Sequence, residues 1–240
     1  MPWYWILIII SAIIGPFEAM HALNKARKNR QPAAPQQTVS YIWDLDGTLL
    51  DSYGGIVAAA GKAAADAGIH DPEEMILEKV KRESLSAYFR DVADRSGVPL
   101  EILQQQYRTY THLTDDQIVL MEGARATLER LSRSGAVHDV FTHRGASSEP
   151  ILRRLGIRQY FREVVTSEYG FQPKPSGEGI RYLVNKYALD PDRTWYVGDR
   201  SMDVLSAKDA GVRAVLLLPD DSRVLPTGRE DRIIRSLREI

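Results

Sequence analysis

From Val39 onward, short β-rich runs alternate with longer stretches of helical spacing. Strand-like runs fall at Val39–Asp44, Val137–Thr142, Glu163–Thr166, Thr194–Gly198 and Arg213–Leu218. Between the last four lie helix-like segments at Ser147–Leu155, Gly177–Tyr187 and Ser201–Ala210. Strand–helix–strand alternation predicts an α/β fold with a Rossmann-like parallel sheet, helices on both faces and right-handed crossovers. Gly156 and Gly211 stand just beyond two of these helices, where a left-handed C-terminal residue is wanted.

The first strand has a different sequel. Between Asp44 and Val137 the chain is rich in Ala, Glu, Lys, Gln and Leu and poor in β-like runs. Ala58–Ala67, Glu73–Asp94 and Leu100–His112 have helical spacing. The pattern predicts an all-helical domain, residues 52–120, inserted after the first strand. Ala124–Ser132 then returns to the sheet, and residues 38–51 and 121–240 form the core. Asp51 and Ser52 are expected to start and cap the first inserted helix.

Residues 1–37 stand apart. Trp3–Ile14 is apolar except for Ser11, and Lys25, Arg27, Lys28 and Arg30 follow. The run is short for a membrane span, and its positive charge comes after the apolar stretch, unlike a cleaved signal peptide. It reads as a short membrane anchor, as a start assigned too far upstream, or as a helix packed on the domain. As an anchor, its basic flank would keep the rest of the chain in the cytoplasm. Residues 29–38, with Pro32 and Pro35, read as a linker.

Composition narrows the chemistry. The chain has 240 residues, 44% hydrophobic and 26% charged, with a formal net charge of -1. That balance gives no global basic field for nucleic acid. With no cysteine, thiolate metal sites, disulfides and a Cys nucleophile are excluded.

The strongest local signal is Asp44-Leu45-Asp46-Gly47-Thr48, at the end of an apolar strand. Ligands of open α/β sheets bind outside the carboxyl ends of strands. Gly47 permits the sharp turn that aims both carboxylates at one place, although an acidic pair before glycine also suits a plain turn. The other strand ends add Thr142, then Lys174 between Pro173 and Pro175, then Gly198-Asp199, with Asp203 one helical turn on. Each has an ordinary reading alone: a strand end, a solvated lysine, helix N-terminal acids. Together they place polar groups along one edge of one sheet.

These four groups, in this order and with a helical insertion after the first, resemble the haloacid-dehalogenase-like hydrolase superfamily, in its phosphoglycolate-phosphatase-like subgroup with a helical cap. The resemblance runs from Val39 to the C-terminus. It implies a phosphatase acting on a small phosphorylated metabolite with Mg²⁺. Asp44 would be the nucleophile that forms an aspartyl-phosphate, and Asp46 the acid and base. Asp44, Asp199 and the Asp46 backbone carbonyl would hold the metal. Thr142, His143 and Lys174 would contact the transferred phosphate, and Asp203 would orient Lys174 or a metal-bound water. His143 and Arg144, beside Thr142, are placed to touch substrate and serve equally well as ordinary loop residues.

Rival activities remain. Asp46 argues against dehalogenation of carbon, which lacks an acid at that position in this superfamily. A sugar phosphomutase on the same scaffold stays open, as does a noncatalytic membrane-tethered binding protein. Lys81, Arg82, Arg90 and Arg108, on inserted helices, are candidates for a second anionic group, weighed against a solvated charged face. The substrate and the oligomeric state are not readable from the residues.

Overall fold

A computed structural model describes residues 38–220 and 222–240. The apolar run expected as an anchor lies outside the described residues. Among those described, no helix is long and apolar enough to cross a membrane.

The sheet contains β1 (Ser40–Trp43), β4 (Val137–Phe141), β5 (Phe161–Val165), β6 (Thr194–Gly198), β7 (Arg213–Leu217) and β8 (Arg232–Ile234), all parallel and ordered β5-β4-β1-β6-β7-β8. Alternation along each strand divides the side chains between two cores, as the pleat requires. Trp43, Val140, Val197 and Leu217 face one side, against Leu128 and Leu131 of α5 (Ala124–Arg133) and Ile151 and Leu152 of α6 (Ser148–Arg154). Ile42, Phe141, Tyr196 and Leu216 face the other. They pack on Ile180 and Leu183 of α7 (Glu178–Lys186) and on Val204 and Ala207 of α8 (Ser201–Asp209).

Because β1 is flanked by β4 and β6, Trp43 is level with Val140 on one side and Val197 on the other. The chain fills one half of the sheet (β4, β5), then crosses back to fill the other (β6, β7, β8). The ends of β1, β4 and β6 therefore open together at the point where strand order reverses, the usual ligand crevice of such sheets.

The helical insertion is α1 (Tyr53–Asp66), α2 (Glu73–Arg82), α3 (Leu85–Ser96) and α4 (Leu100–His112). It has its own core, in which Val57, Ala60 and Ala64 meet Ile76, Val80, Phe89, Val92 and Leu103. A two-stranded antiparallel ribbon, β2 (Leu50–Asp51) with β3 (Val119–Leu120), joins the two connections to the sheet.

Three details depart from the sequence expectations. The helix expected over Glu73–Asp94 is two helices. Glu83 leaves helical geometry (φ -112, ψ -88) and the extended Ser84 caps the second, its Oγ accepting from Ala87 N at 3.0 Å. The ribbon strands and β8 were not anticipated, being too short to show a period. Ser52 does occupy the N-cap of α1, but its hydroxyl makes no cap bond and is directed elsewhere.

One buried polar contact marks the first core. Trp43 Nε1 donates to His138 Nδ1 at 3.1 Å, which leaves the proton on His138 Nε2, itself buried without a partner. Burial, with a smaller effect from Arg162, lowers the His138 pKa from 6.5 to about 4. Between those values the unfolded chain binds a proton that the folded chain does not, so His138 removes stability as pH falls through that window.

Two outcomes are expected. His138→Gln, which keeps an acceptor for Trp43, should flatten the loss of stability in denaturant titrations between about pH 6.5 and 4. An unchanged slope would contradict the assignment. Ser84→Ala should lower unfolding free energy by about 1 kcal/mol through loss of its cap, read as a fall in Tm.

Candidate active site

The site begins where β1 ends. Asp44 continues the sheet for one more bond, its N–H donating to Val197 O at 2.9 Å. The chain then turns sharply, with Thr48, Leu49 and Leu50 N–H groups all donating to Leu45 O. Gly47 makes the turn with φ +79, and a Cβ there would lie 2.2 Å from Tyr53 Cε2 and 2.4 Å from Asp199 Oδ2. Glycine is thus required both for the backbone and for the approach of two other segments. Gly198 has a similar constraint at the end of β6, where a Cβ would meet Asp203 at 2.4 Å.

Lys174 is the charge centre. Its ammonium is 2.9 Å from Asp44 Oδ1 and 2.7 Å from Asp203 Oδ1, and its side chain is fully buried. Phe141 and Tyr196 rings wall it at 5.4 and 5.2 Å. Its backbone N–H donates to His143 Nε2 at 2.8 Å. That bond fixes His143 as a neutral acceptor, and burial together with Lys174 and Arg200 lowers its pKa to about 3. The ring nitrogen that faces Lys174 is therefore committed within the protein. Thr142, buried at the end of β4, accepts from Arg144 N at 3.1 Å through its hydroxyl.

Asp203 is held from two directions. Oδ1 takes Lys174, and Oδ2 takes the Arg200 N–H at 3.0 Å, capping α8. Burial raises its pKa, but Lys174 and Arg200 outweigh that and hold it below the ordinary value. Asp44 goes the other way: burial dominates, Lys174 opposes, and its pKa rises to about 6. Asp199 rises to about 7, again chiefly through burial. Asp199 Oδ2 accepts from Tyr53 OH at 2.9 Å, and Thr48 Oγ1 lies 3.4 Å from Oδ1.

Asp44, Asp199 and Asp203 present carboxylate oxygens within 4.8 Å of one another. Asp44 Oδ2 is buried without a hydrogen-bond partner. An oxygen-only set with a free carboxylate oxygen suits a hard divalent cation. The Asp46 side chain is not part of this cluster. Its Oδ1 accepts from Ser52 Oγ at 2.7 Å and from Arg144 Nη2 at 2.7 Å and Nε at 3.0 Å. Burial raises the Asp46 pKa, but Arg144 and Ser52 overcome it and hold the carboxyl below its ordinary value.

The structure thus brings Asp44, Lys174, Asp199 and Asp203 into one buried cluster, with Thr142 and His143 on the adjoining loop and Asp46 paired to Arg144. The sequence marks Arg144 as a candidate substrate contact or loop residue but not as the partner of Asp46, and it gives no signal for Tyr53 or Arg200. Arg200 is buried beside Asp44, Asp199 and Asp203, with Nε unpartnered. Of the four candidate cations on the inserted helices, Lys81 reaches the site, its ammonium 4.5 Å above the Tyr53 ring. Arg82 instead pairs with Glu78 at 3.1 Å and donates to Arg223 O, while Arg90 and Arg108 are exposed.

Comparison with known proteins agrees with this architecture. A family model described as haloacid dehalogenase-like hydrolase matches residues 41–217. A phosphoglycolate phosphatase of Pseudomonas fluorescens is 29% identical over 189 residues, 73% of this chain and 68% of that protein. A pyrophosphatase, PpaX, of Bacillus velezensis is 26% identical over 185 residues, 74% of this chain and 82% of that protein. The crystal structure of a predicted phosphoglycolate phosphatase from Haemophilus somnus superposes with a TM-score of 0.75 at 22% identity, covering 85% of this chain and 97% of that one. The family match runs from β1 to the end of β7, and the chain belongs to the haloacid dehalogenase-like hydrolase family.

Proposed function

We propose that the protein is a Mg²⁺-dependent phosphatase that hydrolyses small phosphate monoesters through an aspartyl-phosphate on Asp44, phosphoglycolate-phosphatase-like in substrate class. The observation that carries this reading is the state of Asp44: one carboxylate oxygen is fixed by Lys174 at 2.9 Å, and the other is buried and unpartnered. Curated relatives named for phosphate-ester and pyrophosphate hydrolysis support the same chemistry.

In the first step Asp44 attacks phosphorus, an O–P bond forms, and the P–O bond to the leaving group breaks. Asp46 gives the departing oxygen a proton, a step its ion pair with Arg144 opposes by favouring the carboxylate, so the arrangement suits the base half of its cycle better than the acid half. In the second step Asp46 takes a proton from water, which attacks phosphorus and returns Asp44 as a carboxylate beside free phosphate. Lys174 places fixed positive charge where phosphoryl oxygens gather negative charge. Thr142 supplies a hydroxyl for one of those oxygens, His143 braces the Lys174 loop, and Asp203 holds Lys174 in place. Mg²⁺, held by Asp44, Asp199 and the Asp46 backbone carbonyl, would offset repulsion between an anionic nucleophile and an anionic substrate. Residues 52–120 act as a cap over residues 38–51 and 121–240, excluding water and selecting substrate.

Release of phosphate from p-nitrophenyl phosphate and a panel of small esters tests this. Turnover should require Mg²⁺ and cease with EDTA. Asp44→Asn should lose about 10⁴-fold or more in turnover, as removal of a nucleophile does elsewhere, while keeping its circular dichroism. Asp46→Asn should lose about 10²–10⁴-fold, the usual worth of acid–base catalysis. Turnover by Asp44→Asn at the wild-type rate would contradict the reading.

A further inference from the structure

Arg144 is the most heavily bonded side chain near the site, and the chemistry above leaves it without a task. Its guanidinium is 8% exposed and binds two carboxylates. Nε and Nη2 engage Asp46, while Nη1 donates to Asp115 Oδ1 at 2.9 Å and lies 3.2 Å from Ser147 Oγ. The planar fork explains why arginine serves here: it satisfies carboxylates on two edges at fixed angles.

The distribution of bonds on Asp46 is uneven. Oδ1 receives Ser52, Nε and Nη2, whereas Oδ2 has only a 3.3 Å contact from Nε. Oδ1 is therefore pinned and Oδ2 is the oxygen left for chemistry. The partners also come from informative places. Ser52 lies on the connection from β2 into the insertion, and Asp115 on the connection from α4 back to β3. These two connections pair as the ribbon, Asp51 with Val119. Arg154 of α6 clamps the returning connection as well, donating to Asp115 O at 2.8 Å and Ile118 O at 2.7 Å. Any swing of the helical insertion about this ribbon must disturb the groups that aim Asp46.

We propose that Arg144 is a positioning residue that pins Asp46 Oδ1 so that Oδ2 meets the hydrolytic water, and that Asp115 ties this alignment to the seating of the cap. The role rests on the two-step phosphatase reading. It differs from a structural ion pair in one respect: it acts on the second step, where Asp46 removes a proton from water. p-Nitrophenolate departs without a proton, so with that substrate the first step does not depend on Asp46.

Rapid-quench kinetics with p-nitrophenyl phosphate and Mg²⁺ tests the proposal. Arg144→Met should release about one nitrophenolate per enzyme in a burst near the wild-type rate, followed by a steady state slowed by about 100-fold, the scale of lost base catalysis. Arg144→Lys keeps the charge without the fork and should fall between; it carries the test if the Met variant does not fold. Asp115→Asn should show the same pattern more weakly. In both Arg144→Met and Asp115→Asn, hydrogen exchange should quicken in residues 49–53 and 113–120.

Burst and steady state that are both unchanged, or that decline together, would overturn the role of Arg144. Unchanged exchange in the two connections would overturn the link to the cap. A wild-type protein without Mg²⁺-dependent turnover would overturn the phosphatase reading first and this role with it, so the two failures are distinguishable.

Discussion

A single ammonium ion, buried between two carboxylates, organises the site. Taking Lys174 out of water costs several kcal/mol unless close partners compensate, and Asp44 at 2.9 Å and Asp203 at 2.7 Å do so. Those partners come from the end of β1 and the first turn of α8, while Lys174 comes from the loop after β5. The charge can be satisfied only when three segments converge. Gly198 has no room for a Cβ because Asp203 packs against it, and Gly47 has none because Tyr53 and Asp199 close in on the turn after β1. Removing Lys174 would leave the buried Asp44 and Asp203 without their shared ammonium, a penalty of about 3–5 kcal/mol.

The same cluster creates a surplus of negative charge. Asp44, Asp199 and Asp203 lie within 4.8 Å of one another, opposed by Lys174 and by Arg200 beside them. Burial and mutual repulsion push Asp44 to about 6 and Asp199 to about 7. Such crowding is unfavourable for stability alone. It suits a site that must receive a hard cation together with a phosphoryl group, and catalytic centres commonly hold strain of this kind.

Much of this was legible along the chain, for a definite reason. Asp44, Asp46, Thr142, Lys174, Asp199 and Asp203 follow strands whose apolar runs are visible, so the fold places them by local arithmetic. The contacts that the sequence does not reveal act across long separations. Arg144 meets Asp46 from 98 positions away, and Tyr53 meets Asp199 from 146. No periodicity reports such a meeting. Ser52 shows how a correct local reading can misassign chemistry: it stands at the N-cap of α1, yet its hydroxyl is given to Asp46. Ser84 shows the reverse, a cap residue whose local signal was present inside an apparently continuous helix. β8 and the β2–β3 ribbon are too short for alternation to appear.

The central claim is that Asp44 becomes covalently phosphorylated. The direct measurement is acid-quenched mass spectrometry of peptides from Asp46→Asn protein mixed with Mg²⁺ and p-nitrophenyl phosphate. In that variant the first step can proceed with a leaving group that needs no proton, while water activation is impaired. The account predicts one added phosphoryl group on the peptide containing Asp44, localised to Asp44 by fragmentation. Nitrophenolate release from that protein with no phosphoryl adduct at Asp44 at any quench time would contradict it.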